Sequence, residues 1–457
     1  MLGKLILFIS LICSVLLYLM APACPNRVFL GVCVVIATIL LFIHIKGIYV
    51  EEELKNVYLR HSVIFLIAFF VVFFQKDLDY SLGILNKNST SIGLFFAKSP
   101  QVVSKACALS LLALSSFMLG YYTYINRCRD CLASKYVFRY TKEILIGGYF
   151  LLFLYIFQHG IGDFAKGKDE DTTILIILQS VLLVLTVIYA YDIRYNSFDL
   201  KVKSRKFIVP LILILLYVFV YFASGNRGGA IKVCLMLVVA YVFVSGNQVN
   251  NKRIATIAIA GAFAVSLLGI IRTMGDKKDV NAATELIAQK ETISPLTVEL
   301  AGSVNTVHIA MGNVPSKQDY NYGSSFFPRF NVLVPGLNRL LAGTYETSED
   351  IITLMYFGGY MPSWGWGFAS SAIADVYISF GMLGVLIVFF IFGRFIHYLE
   401  YGTFCVRKSP LFLVLSFCVY SQLISLCRGP FAILFLSWDY AAIMVFICMM
   451  SIYDESY

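Results

Sequence analysis

The sequence predicts an all-α, polytopic integral membrane protein, and three observations support that fold class. Hydrophobic residues make up 59% of the 457 residues and charged residues only 14%, against about 25% charged residues in ordinary soluble domains. The apolar residues fall in runs of about 20, long enough as helices to cross a bilayer core of about 30 Å. Polar segments between the runs are short, except for one long segment near residues 274–370.

About twelve membrane-spanning helices are predicted from these runs. They lie near residues 4–21, 27–48, 59–75, 101–125, 142–158, 173–192, 206–223, 230–245, 254–273, 371–398, 410–427 and 431–452. The chain therefore divides into three predicted regions: residues 1–273 with nine helices, residues 274–370 as one large loop, and residues 371–457 with three helices.

The distribution of Lys and Arg predicts the orientation in the membrane. Basic residues cluster at 127–142 and 194–206, and such clusters favour the cytoplasmic side. Both termini are then expected in the cytoplasm and the loop of residues 274–370 on the outside. The net charge of +9 follows from this topology, so nucleic-acid binding is not indicated.

The long loop is too rich in apolar and aromatic residues for a disordered segment. Ser294-Pro295 is a favourable helix start, because Pro is preferred at the first helical position. An apolar stripe with helical spacing follows, formed by Leu296, Leu300, Val304, Val307 and Met311. We expect an amphipathic helix that packs over the outer face of the bundle.

Arginines in glycine-containing turns mark the outward ends of predicted helices. Arg227 and Gly228 lie in "FASGNRGGAIK", Arg428 and Gly429 lie in "LISLCRGPFAIL", and Arg272 ends the ninth predicted span. Glycine permits close approach of a ligand, helix N-termini bind anions, and guanidinium matches phosphate oxygens bidentately. The pattern predicts a binding site for a lipid phosphate or diphosphate. The alternative is that each arginine is a solvated interfacial side chain.

The acidic and cysteine residues do not form a recognisable metal site. Asp77 and Asp79 in "KDLDY", and residues 169–171 in "KDED", are short acidic clusters in predicted outward loops. Such clusters are usually solvated, and a metal site at Asp77 and Asp79 is the lesser interpretation. The motif "CRDC" at 128–131 lacks the second ligand pair that zinc requires. We therefore predict no metal and no cofactor.

Asp375 is the main candidate for a general base. It lies in the first turns of the tenth predicted span, on one helical face with Ser371 and Ser379. A carboxylate at membrane depth is expected to face the bundle interior. The alternative role is a favourable interaction with the helix dipole. Glu299 and His308 on the predicted loop helix are alternative bases, although nine residues place them on opposite sides of that helix.

Three stretches together resemble the bacterial O-antigen polymerases of the Wzy type. They are "SGNRGGAI", "VELAGSVNTVHIAMGNVPSKQDYNYGSSF" and "GWGFASSAIADVYISFGMLGV", and the resemblance covers about residues 220–390. The family commonly has Glu at the position of Asp375, so this chain departs from the pattern by one methylene.

The resemblance implies a GT-C-like glycosyltransferase in the bacterial inner membrane with its active site on the periplasmic side. Such an enzyme joins undecaprenyl-diphosphate-linked oligosaccharide repeat units and uses the growing glycan as donor. Arginines hold the diphosphate, and metal is not required. Membrane lipids and a polysaccharide chain-length regulator are the implied partners.

Two other classes share parts of this pattern. An O-antigen ligase has the same outline of many spans, a large periplasmic loop and arginines. A lipid-linked oligosaccharide flippase or other transporter also suits twelve spans. Transporters usually show two matching halves, and the sequence shows no repeat across its midpoint.

Overall fold

The computed structural model describes most of the chain, with gaps. The described residues are 2–50, 59–85, 99–123, 136–138, 141–159, 172–196, 200–223, 227–245, 292–294, 297–327, 346–361, 368–404, 410–434 and 452–454. The predicted spans at 254–273 and 431–452 lie outside them, apart from residues 431–434 and 452.

Helices occupy the positions of the other ten predicted spans. In the N-terminal region they are α1 (Leu2–Leu19), α2 (Arg27–Val50), α3 (His61–Ser81), α4 (Val103–Thr123), α5 (Thr141–His159), α6 (Thr172–Asn196), α7 (Leu200–Ala223) and α8 (Arg227–Ser245). The long loop contributes α9 (Val298–Ala301), α10 (Val304–Asn313) and α11 (Ser348–Phe357). The C-terminal region contains α12 (Ala372–Phe404) and α13 (Pro410–Arg428). One short antiparallel pair joins Tyr136–Phe138 to Ile452–Asp454.

Four helical segments in the described part of the chain are long and apolar enough to cross a membrane. They are Arg27–Gly47, His61–Ser81, Pro100–Thr123 and Ala372–Thr403. The helical architecture thus agrees with the predicted class of membrane protein. The count of twelve spans and the GT-C-like architecture stay predictions.

The central packing is between α4 and α12, whose backbones approach closely at two glycines. A Cβ atom on Gly393 would lie 2.1 Å from the Phe117 carbonyl oxygen, and one on Gly120 would lie 2.0 Å from that of Phe390. Both contacts are to backbone atoms, so a side chain at either position would push the helices apart. Small residues let membrane helices pack in this way.

The loop helix differs from the predicted amphipathic helix in two respects. It is broken at Gly302 and Ser303 into α9 and α10, and every residue from Val304 to Met311 is buried. The periodic stripe accounts for the packing of α10 on α12 and α4. Helix α11 also packs against α10, and the apolar pattern did not predict this helix.

A buried ion pair lies at the end of α12 remote from Asp375. Arg60 lies 3.7 Å from Glu400, which also accepts hydrogen bonds from the Ser62 amide and hydroxyl at 3.0 and 2.7 Å and from the Tyr121 hydroxyl at 2.6 Å. At 1.5 Å per residue, Glu400 is on the order of 35 Å from Asp375 along the helix. The two polar groups therefore belong to opposite ends of the bundle.

Candidate functional site

Asp375 is fully buried in the first turn of α12, where it accepts hydrogen bonds from two distant segments. The Ser325 hydroxyl donates to Oδ1 at 3.0 Å, and the Phe431 backbone N–H donates to Oδ2 at 2.8 Å. Ser325 belongs to the long loop, whereas Phe431 follows α13. The carboxylate thus joins the loop, the start of α12 and the end of α13 at one point.

The arginine turn after α13 lies directly beside this carboxylate. The helix ends at Arg428, which is partly exposed, and Gly429 and Pro430 are buried in the turn that leads to Phe431. The Ile433 amide closes the turn by donating to the Pro430 carbonyl at 3.0 Å. Tertiary structure therefore brings together two of the predicted elements, the acid and one arginine-glycine turn.

Hydroxyl groups on α12 complete the predicted polar face around Asp375. Ser371 and Ser379 are both fully buried. The Ser371 hydroxyl accepts from Thr306 of α10 at 2.8 Å, and the Ser379 hydroxyl donates to the Asp375 carbonyl at 2.9 Å. The Asp375 amide donates to the Ser371 carbonyl at 2.9 Å, so Ser371, Asp375 and Ser379 follow one another at the predicted i, i+4, i+8 spacing.

Helix α12 is broken at Gly381, about one and a half turns after Asp375, and the long loop contacts the helix at this break. Gly381 has φ +65° and ψ −158°, a conformation that residues with a Cβ rarely adopt. Because the helix is interrupted there, the Ile378 carbonyl accepts the Asn321 N–H at 3.1 Å. The Tyr320 ring packs against Gly381 within about 3 Å of where a Cβ would lie. The loop is therefore fixed to α12 by main-chain contacts as well as through Ser325.

His308 lies on α10 and is almost fully buried. Burial and, secondarily, the nearby positive charge of Lys76 lower the pKa of His308 to about 3. The imidazole is therefore neutral at physiological pH and is a weak base in this surrounding.

The acidic pair Asp77 and Asp79 is placed differently from the prediction. Both residues lie inside α3 and are buried, so the expected outward, solvated loop was wrong for them. Asp79 accepts hydrogen bonds from the Thr292 hydroxyl at 2.6 Å and from the Ile293 amide at 2.9 Å. Hydrogen bonds from the loop offset the cost of burying the Asp79 carboxylate. Because the donors lie far away in the chain, the local sequence around Asp79 does not indicate this pairing.

Gln75 extends this contact between α3 and the loop. Its amide donates to the Thr292 hydroxyl at 3.1 Å and to the Ser294 carbonyl at 2.9 Å, and its carbonyl accepts from the Thr297 hydroxyl at 2.6 Å. The last turns of α3 thereby hold the segment that leads into α9 and α10.

Three of the remaining predicted site residues lie in helices. Arg227 and Gly228 are the first two residues of α8 and Glu299 lies in α9, but only their backbone is described. Arg272 lies outside the described residues. Their roles therefore stay predictions, as does the absence of a metal. Within the described ranges, no three His, Cys, Asp or Glu side chains form a group that could hold a metal ion.

Sequence reasoning assigned no role to Ser325, Thr306 or Gln75. Ser325 lies within one of the stretches that carry the family resemblance, but nothing in the spacing of "YGSSF" distinguishes it from Ser324. Each of the three residues acquires its role from a partner far away in the chain, and one sequence carries no signal of such pairs.

The fold and the site define a helical membrane protein with a buried carboxylate beside an arginine-glycine turn at one end of its bundle. The sequence model of the family described as O-antigen polysaccharide polymerase Wzy matches residues 5–454. The chain therefore belongs to this family, which acts in polysaccharide biosynthesis. No curated protein and no solved structure matches the chain.

Proposed function

We propose that this protein polymerises undecaprenyl-diphosphate-linked oligosaccharide repeat units at the periplasmic face of the inner membrane, with the growing glycan as donor. Family membership supports polymerase activity in general. The observation that carries the specific proposal is the hydrogen bond from Phe431 to Asp375. It holds the Arg428-Gly429-Pro430 turn against a buried carboxylate, so an anion-binding group and a proton acceptor share one site.

In the proposed reaction, the acceptor hydroxyl oxygen forms a bond to the anomeric carbon of the growing glycan. The bond from that carbon to the diphosphate oxygen breaks, and undecaprenyl diphosphate leaves with the electron pair. Arg428 stabilises the negative charge that develops on the leaving group, because preorganised cations act most strongly on charge formed in the transition state. Gly429 allows the lipid diphosphate to approach the backbone.

Arg227, Gly228 and Arg272 complete the diphosphate site in this proposal. Helix packing supports the contribution of α8. The Phe243 ring near the end of α8 packs 5.7 Å from the Phe417 ring in the first half of α13. In the predicted topology these helices are antiparallel, and the start of α8 then lies at the same end of the bundle as Arg428.

Asp375 is the favoured base among the three candidates. The proton of the acceptor hydroxyl reaches its Oδ1 through Ser325, whose hydroxyl already donates to that oxygen and accepts a new hydrogen bond as it passes its own proton on. His308 is disfavoured as a base by its low pKa. Glu299 is kept as an alternative.

Reconstitution tests the proposal. The purified protein in lipid nanodiscs is given a synthetic undecaprenyl-diphosphate repeat unit, and the products are separated by size. We expect a ladder of multiples of the repeat unit, also in the presence of EDTA. Glycan transfer that occurs only after lipid A-core is added would indicate a ligase, and transbilayer movement without any ladder would indicate a flippase.

A ladder that disappears with EDTA and returns with magnesium or manganese would overturn the metal-independent mechanism.

The proposed topology is tested separately. A reporter fused at exposed Lys317 in the long loop is expected to be active only in the periplasm, and cytoplasmic activity would overturn the assigned orientation and localisation. Co-purification with a chain-length regulator tests the proposed partner.

A further inference from the structure

Exposed aromatic residues lie in the two chain segments that carry Ser325 and Asp375. Tyr322, Phe327 and Phe380 are 77%, 45% and 44% exposed. Phe326 stacks on Phe380 with ring centroids 6.2 Å apart and planes inclined by 15°. We call these four residues the aromatic platform. It consists of the loop segment around Ser325 and the residue of α12 that precedes the Gly381 break.

The backbone at Tyr322 has an uncommon, strained conformation. Tyr322 has φ +49°, and it is the one non-glycine residue with positive φ among the described residues. The left-handed region costs about 1–3 kcal/mol for such a residue, and strained residues of this kind cluster at functional sites. Hydrogen bonds from the Gly323 amide to the Asn321 side chain at 3.0 Å and from the Asn321 amide to Ile378 at 3.1 Å hold the turn.

The platform lies close to the proposed reaction centre. Tyr322 and Ser325 are three positions apart in the chain, so their Cα atoms are at most about 11 Å apart by the reach of an extended chain. Ser325 itself donates to Asp375. The platform and the hydroxyl that contacts the carboxylate therefore belong to one short segment of the loop.

We propose that the aromatic platform binds a sugar ring of the oligosaccharide repeat unit, with the Tyr322 ring stacked on the C–H face of the sugar. This inference rests on the proposed function and names a subsite within it. Binding sites for polar organic ligands commonly combine aromatic side chains with a few placed polar groups. A turn that is already held in one backbone conformation loses less conformational entropy when a ligand binds.

A sugar is favoured over lipid by the change of surface along α12. Below the platform, Leu383, Ile387 and Ile391 are exposed with helical spacing, an aliphatic stripe that suits acyl chains. The platform lies on the other side of the Gly381 break in sequence, and its exposed residues are aromatic, with one phenol at Tyr322. Interfacial Tyr residues also anchor proteins in membranes, but lipid contact requires no particular ring orientation. It therefore gives no reason for a strained backbone at Tyr322.

Two substitutions at Tyr322 separate the ring from the turn. Asn tolerates the left-handed region, so Tyr322→Asn removes the ring and keeps the turn. Tyr322→Phe keeps the ring and removes the hydroxyl. Tyr360→Asn is a matched control, because Tyr360 is a 64% exposed loop tyrosine in another segment. Phe327→Leu is a second variant that removes a platform ring while keeping apolar bulk.

The measurements are KM and kcat for the synthetic lipid-linked repeat unit in nanodiscs, and inhibition by the same oligosaccharide without its lipid. We expect Tyr322→Asn to raise KM, and the inhibition constant of the lipid-free oligosaccharide, by roughly three- to tenfold, as for the loss of one ring contact. Phe327→Leu should change both constants in the same direction. Tyr322→Phe should change both constants less than Tyr322→Asn does, Tyr360→Asn should match the wild type, and kcat should change less than KM in the platform variants.

Several outcomes would overturn the inference. They are an unchanged KM in both Tyr322→Asn and Phe327→Leu, an equal defect in Tyr322→Phe, or failure of the lipid-free oligosaccharide to inhibit the wild type. Each of these leaves the polymerase proposal intact if the wild type makes a ladder. A wild-type protein that makes no ladder under any condition overturns both proposals.

Discussion

Asp375→Asn distinguishes two roles of the buried carboxylate: a general base, and an acceptor that positions the loop and the arginine turn. An asparagine at this position can keep the two contacts that Asp375 makes in the structure. An asparagine oxygen can accept the Phe431 N–H, and its amide can donate to Ser325, whose hydroxyl can turn to accept. The substitution therefore preserves the positioning of the loop and the arginine turn but removes the ability to take a proton.

The expected magnitudes differ for the two roles. If Asp375 is the base, the rate of ladder formation should fall by roughly 10²–10⁴-fold, the usual contribution of general base catalysis. Replacement of a charged acceptor by a neutral one at two hydrogen bonds should lower the free energy of unfolding by only about 1–3 kcal/mol. Asp375→Ala leaves two buried donors without acceptors and should cost about 2–6 kcal/mol.

The assay is initial-rate polymerisation of the synthetic repeat unit, with thermal unfolding measured on the same detergent-purified samples. Asp375→Glu is the matched control, because it keeps a carboxylate at the position where the family commonly has Glu. We expect it to retain more activity than Asp375→Asn. An Asp375→Asn variant that polymerises within tenfold of the wild-type rate would refute the role as base and leave only positioning.

Three further predictions concern other parts of the structure. Arg428→Lys keeps the charge but loses the bidentate fork, so activity should fall roughly tenfold to hundredfold. Lys317→Ala, at an exposed site, should remain active, and a normal rate for the lysine variant would show that Arg428 does not hold the diphosphate. Gly393→Ala places a Cβ against the Phe117 carbonyl and should reduce the folded yield and the melting temperature. Gly147→Ala, whose added Cβ would meet no atom within 4 Å, should change neither, and equal melting temperatures for the two variants would contradict the close helix contact. Asp79→Ala removes the acceptor of two loop donors on partly exposed residues, at about 0.5–1.5 kcal/mol each, so proteolysis of the long loop should accelerate. An unchanged cleavage rate would argue against this contact.

The positions of the long apolar helices were predictable from the sequence because they depend on local properties. A run of about 20 apolar residues is sufficient to define a membrane helix, and ten predicted spans coincide with helices in the described ranges. The polar face formed by Ser371, Asp375 and Ser379 was predictable for the same reason, since helical spacing alone aligns these residues.

Tertiary structure decided which of these local features meet. Asp375 contacts Phe431 and Ser325, and the arginine turn and the loop become parts of one site only through those bonds. The burial of Asp79 likewise depends on donors at Thr292 and Ile293. Hydropathy and periodicity describe how each residue relates to its near neighbours. These patterns do not identify long-range hydrogen-bond partners. The burial of a polar residue therefore becomes evident only from a structure that shows the partner of its hydrogen bond.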